Sequence, residues 1–222
     1  MGIDFYYTPG SAPCRSVLLT ANALGIELNL ILVDLRKKEH LRPEFIKINP
    51  KHTVPTLVDN GLILWESRAI ITYLVQEYGK DDSLYPKNPK KRALVDQILY
   101  FDLEKLHPAF ADCYYPTIFS GSTSPAQKHL DKAREIFKFL DALLERHTYS
   151  AGDHLTVADL ALVATVSTYE AMNFDFRDYP NVVNWLDVIK TTAPGYEEVN
   201  GKNVLVFKEM VEKLSRKLET SV

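Results

Sequence analysis

The spacing of apolar positions divides this chain near residue 80. Before it, strand-like and helix-like patterns alternate; beyond it, the patterned segments have a helical period. "IDFYY" (Ile3 to Tyr7) is a short aromatic and β-branched run stopped by Pro9-Gly10, which predicts a strand. Cys14, Val17, Leu18 and Ala21 then fall at helical spacing, with Gly25 placed to cap the helix. "LNLILVDL" (Leu28 to Leu35) is almost continuously apolar, as in a strand buried on both faces. "TLVDNGLILWES" reads as two short strands joined by Asn60-Gly61, the strongest short hairpin signal. Ile71, Leu74, Val75 and Tyr78 mark one face of the next helix, closed by Gly79. The predicted order is β-α-β, a connecting segment, then β-β-α. In the connecting segment Pro55 directly precedes a strand, where it is either a plain strand start or a cis-proline turn.

"KDDSLYPKNPKK" (Lys80 to Lys91) is polar, carries two prolines and reads as a linker. Past it come three apolar stripes: Leu99, Leu103, Leu106, Phe110; Leu130, Ala133, Phe137, Leu140, Leu144; and Phe207, Val211, Leu214, Leu218. "VADLALVATVST" (Val157 to Thr168) is apolar nearly all round and belongs at the centre of a bundle. Thr156 and Asp159 have capping-box spacing in front of it, with Leu155 and Leu160 spaced as a hydrophobic staple. The pattern implies an α/β domain over residues 1–80, a linker over 81–91 and an all-α helical-bundle domain over 92–222.

Composition narrows the function. The chain has 222 residues, with 26 Lys plus Arg against 29 Asp plus Glu, a formal net charge of −3. That balance gives no electrostatic ground for a nucleic-acid partner, and the basic runs "LRKKEH" and "KNPKKR" read as solvated loop or linker. Two cysteines far apart, Cys14 and Cys113, make no disulfide framework and fit a reducing compartment. "MGIDFYY" has neither a basic nor an apolar leader region, and no apolar run approaches a membrane span, so a cytoplasmic protein without membrane association is expected.

The chemistry concentrates in "YYTPGSAPCRS" (Tyr6 to Ser16), where Ser11-Ala12-Pro13-Cys14 occupies the strand-to-helix turn that holds Cys-x-x-Cys in a thioredoxin-type site. A helix N-terminus favours an anion through its free N–H groups and dipole. Serine supplies no thiolate, but its hydroxyl can donate a hydrogen bond to one that arrives on a substrate. The plainer reading is that Ser11 is only an N-cap, and the residues alone leave both open.

"YYTPGSAPCRS", "NPKHTVPTLVDNGLILWESRAI" and "SAGDHLTVADLALVATVST" resemble, in order and over almost the whole chain, the cytosolic glutathione transferases, most nearly the Delta class. The resemblance implies a thioredoxin-like N-terminal domain, glutathione as co-substrate, no metal, a homodimer, and conjugation of glutathione to hydrophobic electrophiles in detoxification. It implies that catalytic Ser11 hydrogen-bonds the glutathione sulfur. In "HTVP", His52, Thr53, Val54 and Pro55 match the loop whose cis-proline exposes the preceding backbone to the cysteinyl unit, with His52 and His40 toward the glycyl carboxylate. Glu66, Ser67 and Arg68 match the block that holds the γ-glutamyl end, and Asp102 an acid supporting it. Ala12, Pro13, Phe110, Tyr115, Ile118, Phe119 and Phe207 match the hydrophobic substrate site.

Each residue has a plainer reading: loop histidines, a first-turn acid for Glu66, a surface pair for Arg68, an exposed helix acid for Asp102, core packing for the aromatics. Tyr7 is a second candidate for steadying the thiolate, since other classes use a first-strand tyrosine. Cys14, on the apolar face of its helix, reads as a small core residue. His107 departs from the pattern, because relatives often carry tyrosine there. Alternatives to a transferase are a non-catalytic carrier of hydrophobic ligands, a glutathione-dependent thiol-disulfide reductase using Cys14, and a structural or complex-forming relative.

Overall fold

The computed structural model describes residues 2–119 and 124–219, without the side chains of Phe119 and residues 215–219. Leu218 of the last stripe therefore lies outside the described side chains. The N-terminal part runs β1 (Ile3–Tyr7), α1 (Ala12–Leu24), β2 (Leu28–Leu32), α2 (Pro43–Ile48), β3 (Thr56–Asp59), β4 (Leu62–Trp65) and α3 (Ser67–Tyr78). The sheet order is β2-β1-β3-β4, with β1 and β2 parallel and the other pairs antiparallel. Phe5 of β1 pairs with Leu30 and Leu57 and is sealed.

The expected hairpin forms, with Asn60 and Gly61 at φ 47° and 88°, the left-handed pair a tight two-residue turn requires. Gly25 caps α1 in the left-handed conformation, as its position implied. Gly79 ends α3 differently: its φ is −66°, and glycine is needed because a Cβ would sit 2.4 Å from the Val75 carbonyl oxygen. The strand over Leu28–Leu35 is shorter than expected and not buried on both faces. As β2 it is an edge strand, and Leu30 and Leu32 are 49% and 59% exposed. A continuous apolar run marks burial only when a strand has neighbours on both sides, and β2 pairs only with β1.

The segment 79–88 is irregular, and Asn88 caps the next helix through N–H bonds from Lys90 and Lys91. The helical part comprises α4 (Pro89–Phe101), α5 (His107–Phe119), α6 (Gln127–Leu144), α7 (Val157–Ala171), α8 (Pro180–Thr192) and α9 (Lys202–Glu219). Between α4 and α5 the chain makes a π-helical turn, Asp102–Leu106. Within this wider turn one place in the apolar stripe changes hands. Leu99, Leu106 and Phe110 are buried as expected, but Asp102 takes the inward place and Leu103 is 40% exposed.

Helix α7 is buried from Val157 to Tyr169, the central helix its composition predicted. Its capping box forms: the Asp159 carboxylate accepts from the Thr156 N–H at 3.0 Å and hydroxyl at 3.1 Å. It also accepts from the Ser150 N–H at 2.7 Å and the Trp185 indole at 3.0 Å, so one sealed carboxylate ties α7 to the preceding loop and to α8. Leu160 of the expected staple is sealed and Leu155 packs against the core.

Removing that carboxylate leaves at least three buried donors unpaired. Asp159→Ala is expected to lower unfolding free energy by about 2–4 kcal/mol, measured by urea denaturation. A change near zero would mean that water or the loop replaces the lost acceptor.

Candidate functional site

The site is built on the turn between β1 and α1. The Ser11 N–H donates to the Thr8 carbonyl at 3.2 Å, which folds Thr8-Pro9-Gly10 tightly back. Ser11 then caps α1: its Oγ accepts from the Cys14 N–H at 3.4 Å, while its carbonyl receives the Arg15 N–H at 2.9 Å. The cap bond is long, and it uses only the hydroxyl's oxygen. A hydroxyl can accept this bond and donate its own proton to another group, so capping and donation are compatible roles.

Cys14 and Cys113 are both buried free thiols. Cys14 is sealed beneath α1, and burial pushes its thiol up to about 11, although the Ser11 side chain and the Arg15 charge act the other way. It is a neutral core residue at physiological pH. Tyr7 lies on the same sheet face as Phe5, with ring centroids 5.8 Å apart, and packs half-buried against the core. Tyr6 points the other way, edge-on to Phe45 of α2 at 5.6 Å.

The loop before β3 is knit by Asn49, whose amide donates to the Thr53 carbonyl at 3.1 Å and to the Thr56 hydroxyl at 2.9 Å. Thr56 in turn donates to the same carbonyl at 2.8 Å. The Val54-Pro55 peptide is cis. Among the described residues the Val54 peptide groups take no hydrogen-bond partner, which leaves them open to an extended ligand. His52 stands exposed at the entrance of this loop, and the His40 ring lies 6.3 Å from it, centroid to centroid. The His40 Nδ1 is buried without a partner.

Across the hairpin, Glu66 joins β4 to α3 with φ 72° and ψ 106°, a conformation rare for a side-chain-bearing residue. Strain of about 1–3 kcal/mol is retained where the surroundings or a function demand it. Its carboxylate meets Lys51 at 3.4 Å on the surface. Ser67, buried at the first position of α3, accepts from Arg68 at 2.7 Å. Arg68 also pairs with Asp102, which is sealed in the π-helical turn. Neither the surface-pair reading of Arg68 nor the exposed-acid reading of Asp102 holds. Their unused atoms, Arg68 Nε and Asp102 Oδ1, are buried without partners.

The apolar candidates gather on the other side of the Ser11 turn. A Cβ on Gly10 would come 3.1 Å from the Phe207 Cβ and 3.3 Å from its Cα, so glycine lets α9 close directly over the turn. The Phe207 ring is 6.0 Å from Phe110, which is 6.2 Å from Tyr115. Phe110, Ile118 and Phe207 are almost closed off, whereas Tyr115 is 39% exposed. Ala12 is buried and Pro13 half-buried at the head of α1. The Phe119 side chain lies outside the described residues. Two surface clefts, of about 420 and 510 Å³, lie elsewhere and contain none of these residues. His107 is half-buried beside this cluster; burial lowers its pKa, as do the Arg68 and Arg15 charges, while Asp102 opposes them. Among the described residues no group of acidic, histidine or cysteine side chains is arranged to hold a metal ion, and no helix is long and apolar enough to cross a membrane.

The residue the sequence did not single out is Arg15. It is fully buried on α1, and its guanidinium crosses to α7 and to the π-helical turn Glu197–Gly201. One terminal nitrogen donates to Ser167 at 3.1 Å and to Asn200; the other donates to the Ala164 carbonyl at 3.0 Å and to Thr168 at 2.6 Å. Burial lowers its pKa to about 10, so it is charged at neutral pH. Helical spacing could not reveal it, because α1 is buried on the sheet side and the α7 side alike.

Two family models match this chain, the glutathione S-transferase N-terminal domain over residues 5–84 and C-terminal domain over residues 104–191. Among solved structures, a delta-class glutathione transferase of Nilaparvata lugens is 52% identical, over 96% of this chain and 99% of that one, with TM-score 0.93. A Bombyx mori glutathione transferase is 42% identical over 95% and 98%, with TM-score 0.92. A glutathione transferase homologue of Drosophila mojavensis, solved with bound glutathione, is 35% identical over 96% and 97%, with TM-score 0.88. The fold around Ser11 and these matches along both halves establish that the chain belongs to the glutathione S-transferase family.

Proposed function

We propose that the chain conjugates glutathione to apolar electrophiles and that Ser11 holds the glutathione sulfur as a thiolate. The observation that carries this reading is the state of the two side chains in the first turn of α1. The Ser11 hydroxyl is partly exposed at the head of α1, while the Cys14 thiol is sealed and neutral. A free thiol has a pKa of about 8.5, and lowering it by roughly 2 units takes about 2.7 kcal/mol. A charge-assisted hydrogen bond of about 1.5–3 kcal/mol and a helix terminus of about 0.3–1 kcal/mol are sufficient together.

In this reading the Val54 peptide groups pair with the cysteinyl unit beside Thr53 and Pro55. His52 and His40 face the glycyl carboxylate. Glu66 accepts from the γ-glutamyl ammonium, and Ser67 with the first N–H groups of α3 receives its carboxylate. Arg68 and Asp102 brace that corner from behind. Ala12, Pro13, Phe110, Tyr115, Ile118, Phe119 and Phe207 border the electrophile. The thiol proton leaves to solvent and the thiolate attacks the electrophilic carbon. With an aryl halide, a carbon–sulfur bond forms and the halide departs with the electrons of its bond to carbon. Holding both reactants in one cleft supplies the remaining acceleration.

The cytoplasm is the compartment we assign, and detoxification the role. The assembly is a homodimer. Apolar side chains left exposed on β4 and α4, among them Leu62, Ile63, Trp65, Leu94 and Tyr100, support a covered surface. Light scattering should therefore give twice the chain mass; the mass of one chain would refute the dimer.

Ser11→Ala is expected to raise the apparent thiol pKa in the pH–rate profile with a model aryl halide. The rate near neutral pH should fall about 10- to 100-fold, with glutathione affinity little changed. An unaltered profile removes Ser11 from this role and favours Tyr7. Cys14→Ala should keep the conjugation rate within about twofold, whereas loss of activity with intact folding would revive the cysteine-based reading.

A further inference from the structure

Among the described residues the Arg15 guanidinium is a buried cation with no carboxylate bonded to it. Its partners are a carbonyl, two hydroxyls and an amide oxygen, all neutral. The titratable groups that face it are Cys14 on its own helix, Tyr196 ahead of the Glu197–Gly201 turn, and His107 from α5. None of them is a carboxylate. A buried charge left unneutralised is costly, and mere docking of α1 on α7 does not require one. The residue opposite makes the point. Asn200, fully buried and bonded to Arg15, differs from aspartate by one terminal group, and an aspartate there would complete an ion pair.

The charge sits close to the helix terminus the mechanism uses. Arg15 is four residues after Ser11 and donates its backbone N–H to the Ser11 carbonyl. Residues at this spacing share a helix face, and a helical side chain lies over the turn preceding its own Cα. The guanidinium charge and the Ser11 side chain both act on the Cys14 thiol, which stands between them on α1. The Arg15 Nε–H, buried without a partner, adds an uncompensated dipole there.

We propose that Arg15 is a positioning residue of the transferase reaction, whose deliberately unneutralised charge favours the thiolate of glutathione bound at Ser11. This inference rests on the assignment of Ser11 to the glutathione sulfur. It assigns the neutrality of Asn200 a role: an amide keeps the clasp between the domains without cancelling the field.

The test is an ultraviolet titration of the thiolate of glutathione bound to wild type, Asn200→Asp, Arg15→Met and Arg15→Lys, with thermal melting alongside. Asn200→Asp keeps the clasp as an ion pair, so it should melt no lower than wild type. Its bound thiol pKa should rise by about 0.5–1 unit, which is about three- to tenfold less thiolate at a pH below both values. Arg15→Met should raise the pKa at least as much, and Arg15→Lys should restore most of the difference. A bound thiol pKa equal to wild type in a well-folded Asn200→Asp overturns the proposal, and so does an Arg15→Lys as impaired as Arg15→Met. If Arg15→Met does not fold, the Asn200→Asp titration decides alone. The two readings separate cleanly: Ser11→Ala raising the pKa while Asn200→Asp leaves it unchanged sinks the role of Arg15 only. A wild-type thiol at its solution pKa sinks the assignment of Ser11, and this inference with it.

Discussion

The docking of α1 against α7 through Arg15 fixes the rest of the molecule. Helix α1 belongs to the sheet domain by sequence, yet its residues from Cys14 to Ala21 are all buried, because one side lies on the sheet and the other on the helical domain. A helix covered this way cannot turn about its axis without breaking both cores. Three hydrogen bonds from one guanidinium set its rotation and height against α7, and a fourth reaches Asn200. The orientation of the Ser11 hydroxyl at its end is thus a property of the domain interface as much as of the turn that carries it. A hydrogen bond of the kind proposed for Ser11 is sensitive to displacements of about 0.5 Å, and a helix held on two sides is suited to that demand.

The same interface divides the labour at the site. The polar candidates lie on the sheet domain: the Ser11 turn, the loop before β3 and the start of α3. Apolar surface comes from α5 and α9 of the helical domain. Two contacts join them at the reacting end. Gly10 admits Phe207 against the turn, and Arg68 of α3 reaches Asp102 in the π-helical turn. The π-helical turn matters for this second contact. Within it a carboxylate, Asp102, faces inward in place of Leu103, and so gives the N-terminus of α3 a braced arginine.

How far the sequence exposes this design depends on the range of the interactions involved. Local rules carried β1, the Asn60-Gly61 hairpin, the Gly25 cap and the Thr156–Asp159 box, since each depends on a few adjacent residues. Ser11, Val54, Glu66 and Ser67 were legible as candidates through family resemblance joined to the chemistry of helix ends. What stayed hidden depends on partners distant in sequence. The apolar run of β2 looks the same whether a strand is central or at an edge, so its exposure could not be read. Asp102 lies 34 residues from the arginine it pairs with, and the extra residue in its turn leaves no mark in the spacing. Arg15 is separated from its partners by about 150 residues or more. A charged residue between Cys14 and Ser16 reads as the solvent side of an amphipathic helix, and only the presence of α7 reverses that.

These distances also explain why a serine suffices where related architectures use a cysteine. In a Cys-x-x-Cys site both sulfurs belong to the chain, and the helix terminus stabilises the leading one. Here the sulfur that remains, Cys14, is kept neutral by being sealed under α1. The terminus itself is left with a hydroxyl that does not ionise in this range and does not form a disulfide. An anion-favouring position without an internal anion selects for one brought from outside. In the reading proposed for Arg15, its charge on the helix that both domains grip strengthens the preference without adding a nucleophile of the chain's own. The chemistry of the site follows from which anions the fold withholds as much as from the groups it presents.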